Sequence, residues 1–181
     1  IEGYVSLLDS GVPVLQRHAL EALAQVGSGK KVVAKAMELL ASNVDDVRRA
    51  ASAAIRSVGE DVVPMIRARL GAGDVTGHER RALDAILAEL GGKDAFSTLL
   101  EGLATAEGPG SAGGDTAKAA ALAVRQRVKD AGARERNAYL AETEKYLKKN
   151  KDAAPSAIAA ALKILGYLED PSAVPTLLAY A

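Results

Sequence analysis

Two histidines, one adjacent glutamate, a lysine cluster and a glycine-rich stretch are the residues of this chain that could do chemistry. His18 and the pair His78-Glu79 offer nitrogen and oxygen ligands to a metal. They sit at different levels of the segments that carry them: His18 stands 9 residues before Gly27 and is followed by Ala19, whereas His78 stands 13 residues before Gly91. Two histidines and one carboxylate do not complete a ligand set, so no metal is expected. Neither histidine has a nucleophile motif nearby, which argues against a Ser, His and Asp arrangement. The chain has no Cys, which removes thiolate catalysis, disulfides and cysteine metal ligation from this segment. Gly108-Pro109-Gly110-Ser111-Ala112-Gly113-Gly114 has the glycine content of a phosphate loop. No Lys-Ser or Lys-Thr follows it, and it does not join a strand to a helix. Lys145, Lys148, Lys149 and Lys151 read as the solvated end of a helix, where cations face the negative end of the dipole and Glu144 pairs with Lys148. The expectation is a protein with no catalytic residue and no cofactor.

The elements that would position such residues are legible in the spacing of small and apolar side chains. Gly27, Gly59 and Gly91 stand 32 residues apart, and each closes an apolar stretch of helical period. Pro13 suits the first turn of a helix carrying Val14-Leu15, Ala19-Leu20, Leu23 and Val26. A second helix carries Val32-Val33, Ala36-Met37 and Leu39-Leu40 to about Ser42. The next unit opens at Asn43-Val44-Asp45-Asp46, acidic at the positive end of its dipole, and runs to Val58-Gly59. Its partner spans Asp61 to Leu70 with Asp61 as N-cap, which places Pro64 in the first turn, where amides lack intrahelical partners. His78 to Gly91 and a helix carrying Ala95-Phe96, Leu99-Leu100 and Leu103 repeat the plan. Residues 107–115 break it as a flexible Gly-rich insertion. A fourth unit follows at Thr116 to Asp130 and about Arg134 to Asn150, with a core stripe of Tyr139-Leu140, Thr143 and Tyr146-Leu147. A fifth starts at Pro155, and a short remnant helix lies near Tyr4 to Leu8.

Composition is consistent with stacked helices. Hydrophobic residues make up 49% and aromatics only 3%, so Ala, Leu, Val and Ile must fill the core. Lys plus Arg and Asp plus Glu both number 23, leaving no global field to gather nucleic acid or acidic membrane. No apolar run approaches the roughly 20 residues of a membrane span, and the sequence does not open on a charged, apolar, small-residue leader pattern. The expected compartment is the cytoplasm, with the segment cut from a longer protein. High Ala and Gly content is associated with GC-rich bacterial sources.

Two stretches carry a family resemblance: Asp46-Val47-Arg48-Arg49-Ala50-Ala51, and Leu165-Gly166-Tyr167-Leu168-Glu169-Asp170-Pro171-Ser172-Ala173-Val174-Pro175. The chain resembles the HEAT-repeat superfamily, especially its bacterial short repeats related to phycobilisome-lyase HEAT-like repeats. The resemblance covers essentially the whole chain, with the fourth unit and the insertion departing most. It implies one domain over residues 1–181, an all-α right-handed superhelical α-solenoid of about five helix pairs. First helices would form the convex layer and second helices the concave one. Arg17, Arg49 and Arg81 recur at the 32-residue spacing; they could form a ladder along one edge, but HEAT-like repeats use Asp and Arg at this position to tie neighbouring units. The resemblance also raises three functions that the residues do not support. Iron binding as in HEAT-like deoxyhypusine hydroxylases needs several His-Glu pairs. Chromophore handling needs an aromatic or cationic pocket. DNA binding as in HEAT-like glycosylases would use Lys35, Arg67, Arg69, Lys145, Lys148 and Lys149, but Glu38, Glu101, Glu142 and Glu144 share those helices and would repel phosphate.

The expected function is a non-catalytic protein-protein interaction scaffold or adaptor. A nucleic-acid-binding module and a structural spacer in a larger multidomain protein are the alternatives. Residues pointing away from the apolar stripes of the second helices mark the expected partner-binding inner face: Lys35, Glu38, Met65, Arg69, Ser97, Glu101, Glu142, Lys145 and Lys149. The partner would be another protein, with no membrane insertion.

Overall fold

Gly59 and Gly91 take left-handed backbone conformations, φ +76° and +68°, and so turn the chain out of the helices before them. Such turns punctuate an all-α chain. The computed structural model describes residues 2–26, 29–104 and 113–181, with no strand among them. These residues contain eleven α-helices: α1 (Glu2–Leu8), α2 (Pro13–Val26), α3 (Lys30–Leu39), α4 (Asp45–Arg56), α5 (Val63–Leu70), α6 (Gly77–Leu90), α7 (Gly92–Ala104), α8 (Gly113–Asp130), α9 (Ala133–Lys149), α10 (Pro155–Leu168) and α11 (Val174–Leu178). After the short α1 they succeed one another as five pairs. Gly27 lies outside the described residues, as do residues 107–112 of the Gly-rich stretch.

Several boundaries differ from the sequence reading. Asp61 is not an N-cap; it lies within a 3-10 turn, Gly59–Val62, and Val62 precedes α5. Pro64 still falls in the first turn of α5, where its missing amide costs nothing. α8 begins at Gly113, so residues 113–115 of the expected insertion are helical. α10 runs through Gly166. The helix continues to Leu168, and Glu169 makes the left-handed turn at φ +52°. Asp170 then caps the next turn, its carboxylate accepting from the Ser172 amide at 2.8 Å and the Ser172 hydroxyl at 2.6 Å.

The chain divides into two compact units, one ending at Ile86 and one running from Leu87 to Ala181. In the first, α2 packs against α1 and α4, and α3 packs against α4. Ala19, Leu20, Leu23, Val33, Ala36, Val47, Ala51, Ala54, Ile55 and Ile66 are essentially inaccessible there. The many alanines let helix backbones approach closely. In the second unit α7 packs beside α9 and α8 beside α10, while α7·α8 and α9·α10 contacts join the two rows. Alternate helices thus lie side by side and successive helices face across, a repeating helix-pair arrangement. Phe96 and Tyr139 stack between α7 and α9, ring centroids 4.0 Å apart.

Candidate functional site

The face of α9 at i, i+3, i+4, i+7 and i+8 carries Glu142, Lys145, Tyr146, Lys149 and Asn150, which helical geometry aligns in one stripe. α7 presents Ser97, Leu100 and Glu101 at the matching spacing. These eight residues line one groove of about 280 Å³. Five of the nine expected inner-face residues meet there: Ser97, Glu101, Glu142, Lys145 and Lys149. The other four, Lys35, Glu38, Met65 and Arg69, lie in the first unit.

Within the groove, charge is ordered by burial. Glu142 is 8% exposed, although helical phase places it away from the apolar stripe. Its carboxylate is held by Lys93 of α7 at 3.2 Å, with Lys145 at 3.9 Å. Lys145 itself remains 71% exposed, so this pair leaves its ammonium available. Tyr146 is 8% exposed, and among the described residues its hydroxyl has no hydrogen-bond partner. Burial, and then the Glu101 carboxylate, raise its pKa above the ordinary phenol value. An unpaired buried hydroxyl costs roughly 1–3 kcal/mol, which a ligand acceptor or donor would recover. Asn150 ends α9, donating its side-chain amide to the Tyr146 carbonyl at 2.9 Å.

Beneath this surface is a network that spacing alone did not disclose. Tyr139 is fully buried, and a buried phenol requires a partner for its hydroxyl. Arg127 of α8 donates to that hydroxyl at 3.0 Å and also pairs with Glu135, which Tyr139 and the Gly92 amide contact as well. Burial opposes the Glu135 charge, but the hydrogen bonds from Arg127, Tyr139 and Gly92 outweigh it and lower its pKa. Burial pushes the Tyr139 hydroxyl up to about 12. These groups anchor the start of α7 to α8 and α9, which sets the walls of the groove.

In the first unit, Lys35 bridges Asp9 at 2.7 Å and Glu38 at 2.8 Å, and both bonds raise its pKa. Met65 is half-buried on α5. Arg69 is committed to structure: it grips Glu79, whose side chain is 1% exposed, at 2.5 Å and 3.0 Å, and Asp74 at 2.5 Å. Those bonds, the Glu79 pair first, raise the Arg69 pKa. A charge reversal at Arg69 would strand a buried carboxylate and report on folding rather than binding.

The chain matches no protein-family model and no curated protein. Its function must therefore be read from its own residues. Among the described residues, no group of three or more His, Cys, Asp or Glu side chains could hold a metal ion. His18 instead lies 3.5 Å from Glu21. No helix among them is long and apolar enough to cross a membrane.

Asp84 on α6 is a second buried polar group without an evident sequence signal, 3% exposed and with Oδ1 unpartnered among the described residues. Burial raises its carboxyl to about 6, against an opposing pull from Arg80. The folded protein therefore retains a proton between about pH 4 and 6 that the unfolded chain has released, so this group's contribution to stability falls as pH rises through that window. Asp84→Asn is expected to melt at nearly the wild-type temperature at pH 4 and to be about 2 kcal/mol more stable at pH 7. The same wild-type-to-variant difference at both pH values would show that Asp84 ionises without penalty.

Proposed function

We propose that this chain is a non-catalytic HEAT-like scaffold whose α7/α9 groove receives a segment of a partner protein. The observation that carries the reading is the convergence of Ser97, Glu101, Glu142, Lys145 and Lys149 around the Tyr146 hydroxyl, which has no partner among the described residues. Mixed charge on a preformed concavity suits a polypeptide, which brings amides, carbonyls and charges of both signs. A rigid helical wall would bind it without a large ordering cost. Pairwise succession of the helices, and glycine turns at Gly59 and Gly91 one repeat apart, support a right-handed α-solenoid of the HEAT type.

The test is affinity capture from host lysate with the full chain as bait, beside a Lys145→Glu/Lys149→Glu variant. Both lysines are exposed, so the variant is expected to fold normally. A discrete protein should be retained by the wild type and lost at least about tenfold from the variant, as removal of charge-assisted contacts requires. Equal retention by both baits would remove the groove from the reading. Recovery of nuclease-sensitive nucleic acid, weakening steeply with salt, would replace the adaptor with a nucleic-acid-binding module. An empty capture would favour a spacer.

A further inference from the structure

The recurring arginines lead to a second concavity, in the first unit and separate from the proposed adaptor groove. α4 buries Val47, Ala50, Ala51, Ala54 and Ile55 on one face, which leaves Asp45, Arg48, Arg49, Ser52 and Arg56 along the other at i, i+3, i+4, i+7 and i+11. α6 adds His78, Arg81 and Ala82 from its first two turns. These eight residues line a single cavity of about 530 Å³. Arg49 and Arg81, 32 residues apart in the chain, thus face the same space.

We propose that this cavity binds a single phosphomonoester group. Four guanidiniums line it against one carboxylate, Asp45, with Asp46 paired to Arg49 from outside the lining. Guanidinium forks match phosphate oxygens in geometry, and a phosphomonoester carries about 1.5–2 negative charges at neutral pH. The arginines are also oriented. Arg48 pairs with Asp45 and donates to the Ser42 carbonyl, which fixes its guanidinium. Arg81 Nε donates to the Gly77 carbonyl at 3.2 Å, while among the described residues its Nη atoms have no protein acceptor. The Ser52 hydroxyl and the His78 ring add hydrogen-bonding capacity. Asp45 and His78 stand in the first turns of α4 and α6, helices of 12 and 14 residues, at the positive ends of their dipoles.

Titration calorimetry of the full chain with inorganic phosphate and with a short phosphoserine peptide tests the assignment. Arg49→Gln/Arg81→Gln removes two exposed guanidiniums and should fold as the wild type does, while Arg17→Gln outside the cavity serves as the control. Saturable binding that weakens at least about tenfold in the double variant and is unchanged in the control is expected. The phosphopeptide binding more tightly than inorganic phosphate, with the unphosphorylated peptide inert, would assign the site to a modified protein segment. Equal affinity would assign it to a free phosphate or small phosphomonoester. Absence of saturable binding, or binding indifferent to the double variant, would overturn the proposal. So would a single-stranded oligonucleotide that binds more tightly than either and loses affinity equally in the Arg17 variant.

Discussion

A Gly91→Ala variant is expected to lose about 3 kcal/mol of stability, whereas Gly59→Ala loses only about 1 kcal/mol. Both glycines are left-handed and stand one 32-residue repeat apart, so local conformation charges them alike. Their surroundings differ. A methyl at Gly59 would meet nothing within 4 Å, while at Gly91 it would lie 2.3 Å from Arg127 Nη2, 2.4 Å from Cζ and 2.6 Å from Nε. A surface arginine would swing aside. Arg127 is instead held by Glu135 and Tyr139, and moving it leaves a buried phenol and a carboxylate short of partners. Urea unfolding of both variants reads the difference directly. In an Arg127→Ala background, Gly91→Ala should cost only the backbone strain, about 1 kcal/mol, because its obstacle is gone. Equal costs at Gly59 and Gly91 would show that Arg127 moves freely.

Truncation of a core leucine should have the other large effect. Leu23→Ala and Leu87→Ala are each expected to destabilise by about 2–5 kcal/mol, against at most about 1 kcal/mol for Arg49→Ala. Leu23 and Leu87 are fully buried among helix-packing side chains that cannot collapse into the space left. Arg49 is 78% exposed, and its pair with Asp46 is solvated. The three melting shifts, compared in one buffer, decide the ranking. Similar shifts would mean that the arginine positions do more for stability than a solvated pair can.

Much of the fold was legible for a simple reason. Helical period in small and apolar residues is a local property, and Pro13, Pro155, Gly59 and Gly91 mark where it starts and stops. Where boundaries were misplaced, two local signals competed. Asp61 has the side chain of an N-cap, but the turn after Gly59 was already 3-10 and carried it past that position. α10, by contrast, runs through Gly166 because Ile164, Leu165 and Leu168 all bury along one side of it.

The candidate site was only half legible. Helical phase selected Ser97, Glu101, Lys145 and Lys149 because charge and polarity opposite an apolar stripe indicate an exposed face. Phase also placed Glu142 there, but its position against α7 buries it under Lys93. Arg69 fits the pattern of a surface cation and is the partner of buried Glu79. Leu100, Tyr146 and Asn150 complete the groove from positions that read as core or helix end.

By itself, then, the amino-acid order determined an all-helical chain of paired elements, its alanine-rich core stripes and its 32-residue punctuation, because each depends on residues within a turn or two of one another. Tertiary structure alone decided which equivalent positions are equivalent in energy, which charges are spent on folding and which remain open to a ligand. Gly59 and Gly91 share a conformation and a register, but only one lies beneath a guanidinium of α8 held by two side chains of α9. Arg49 and Arg81 share a spacing, but only packing turns that spacing into one cavity. Such distinctions rest on contacts between residues far apart in the chain, which no local pattern encodes.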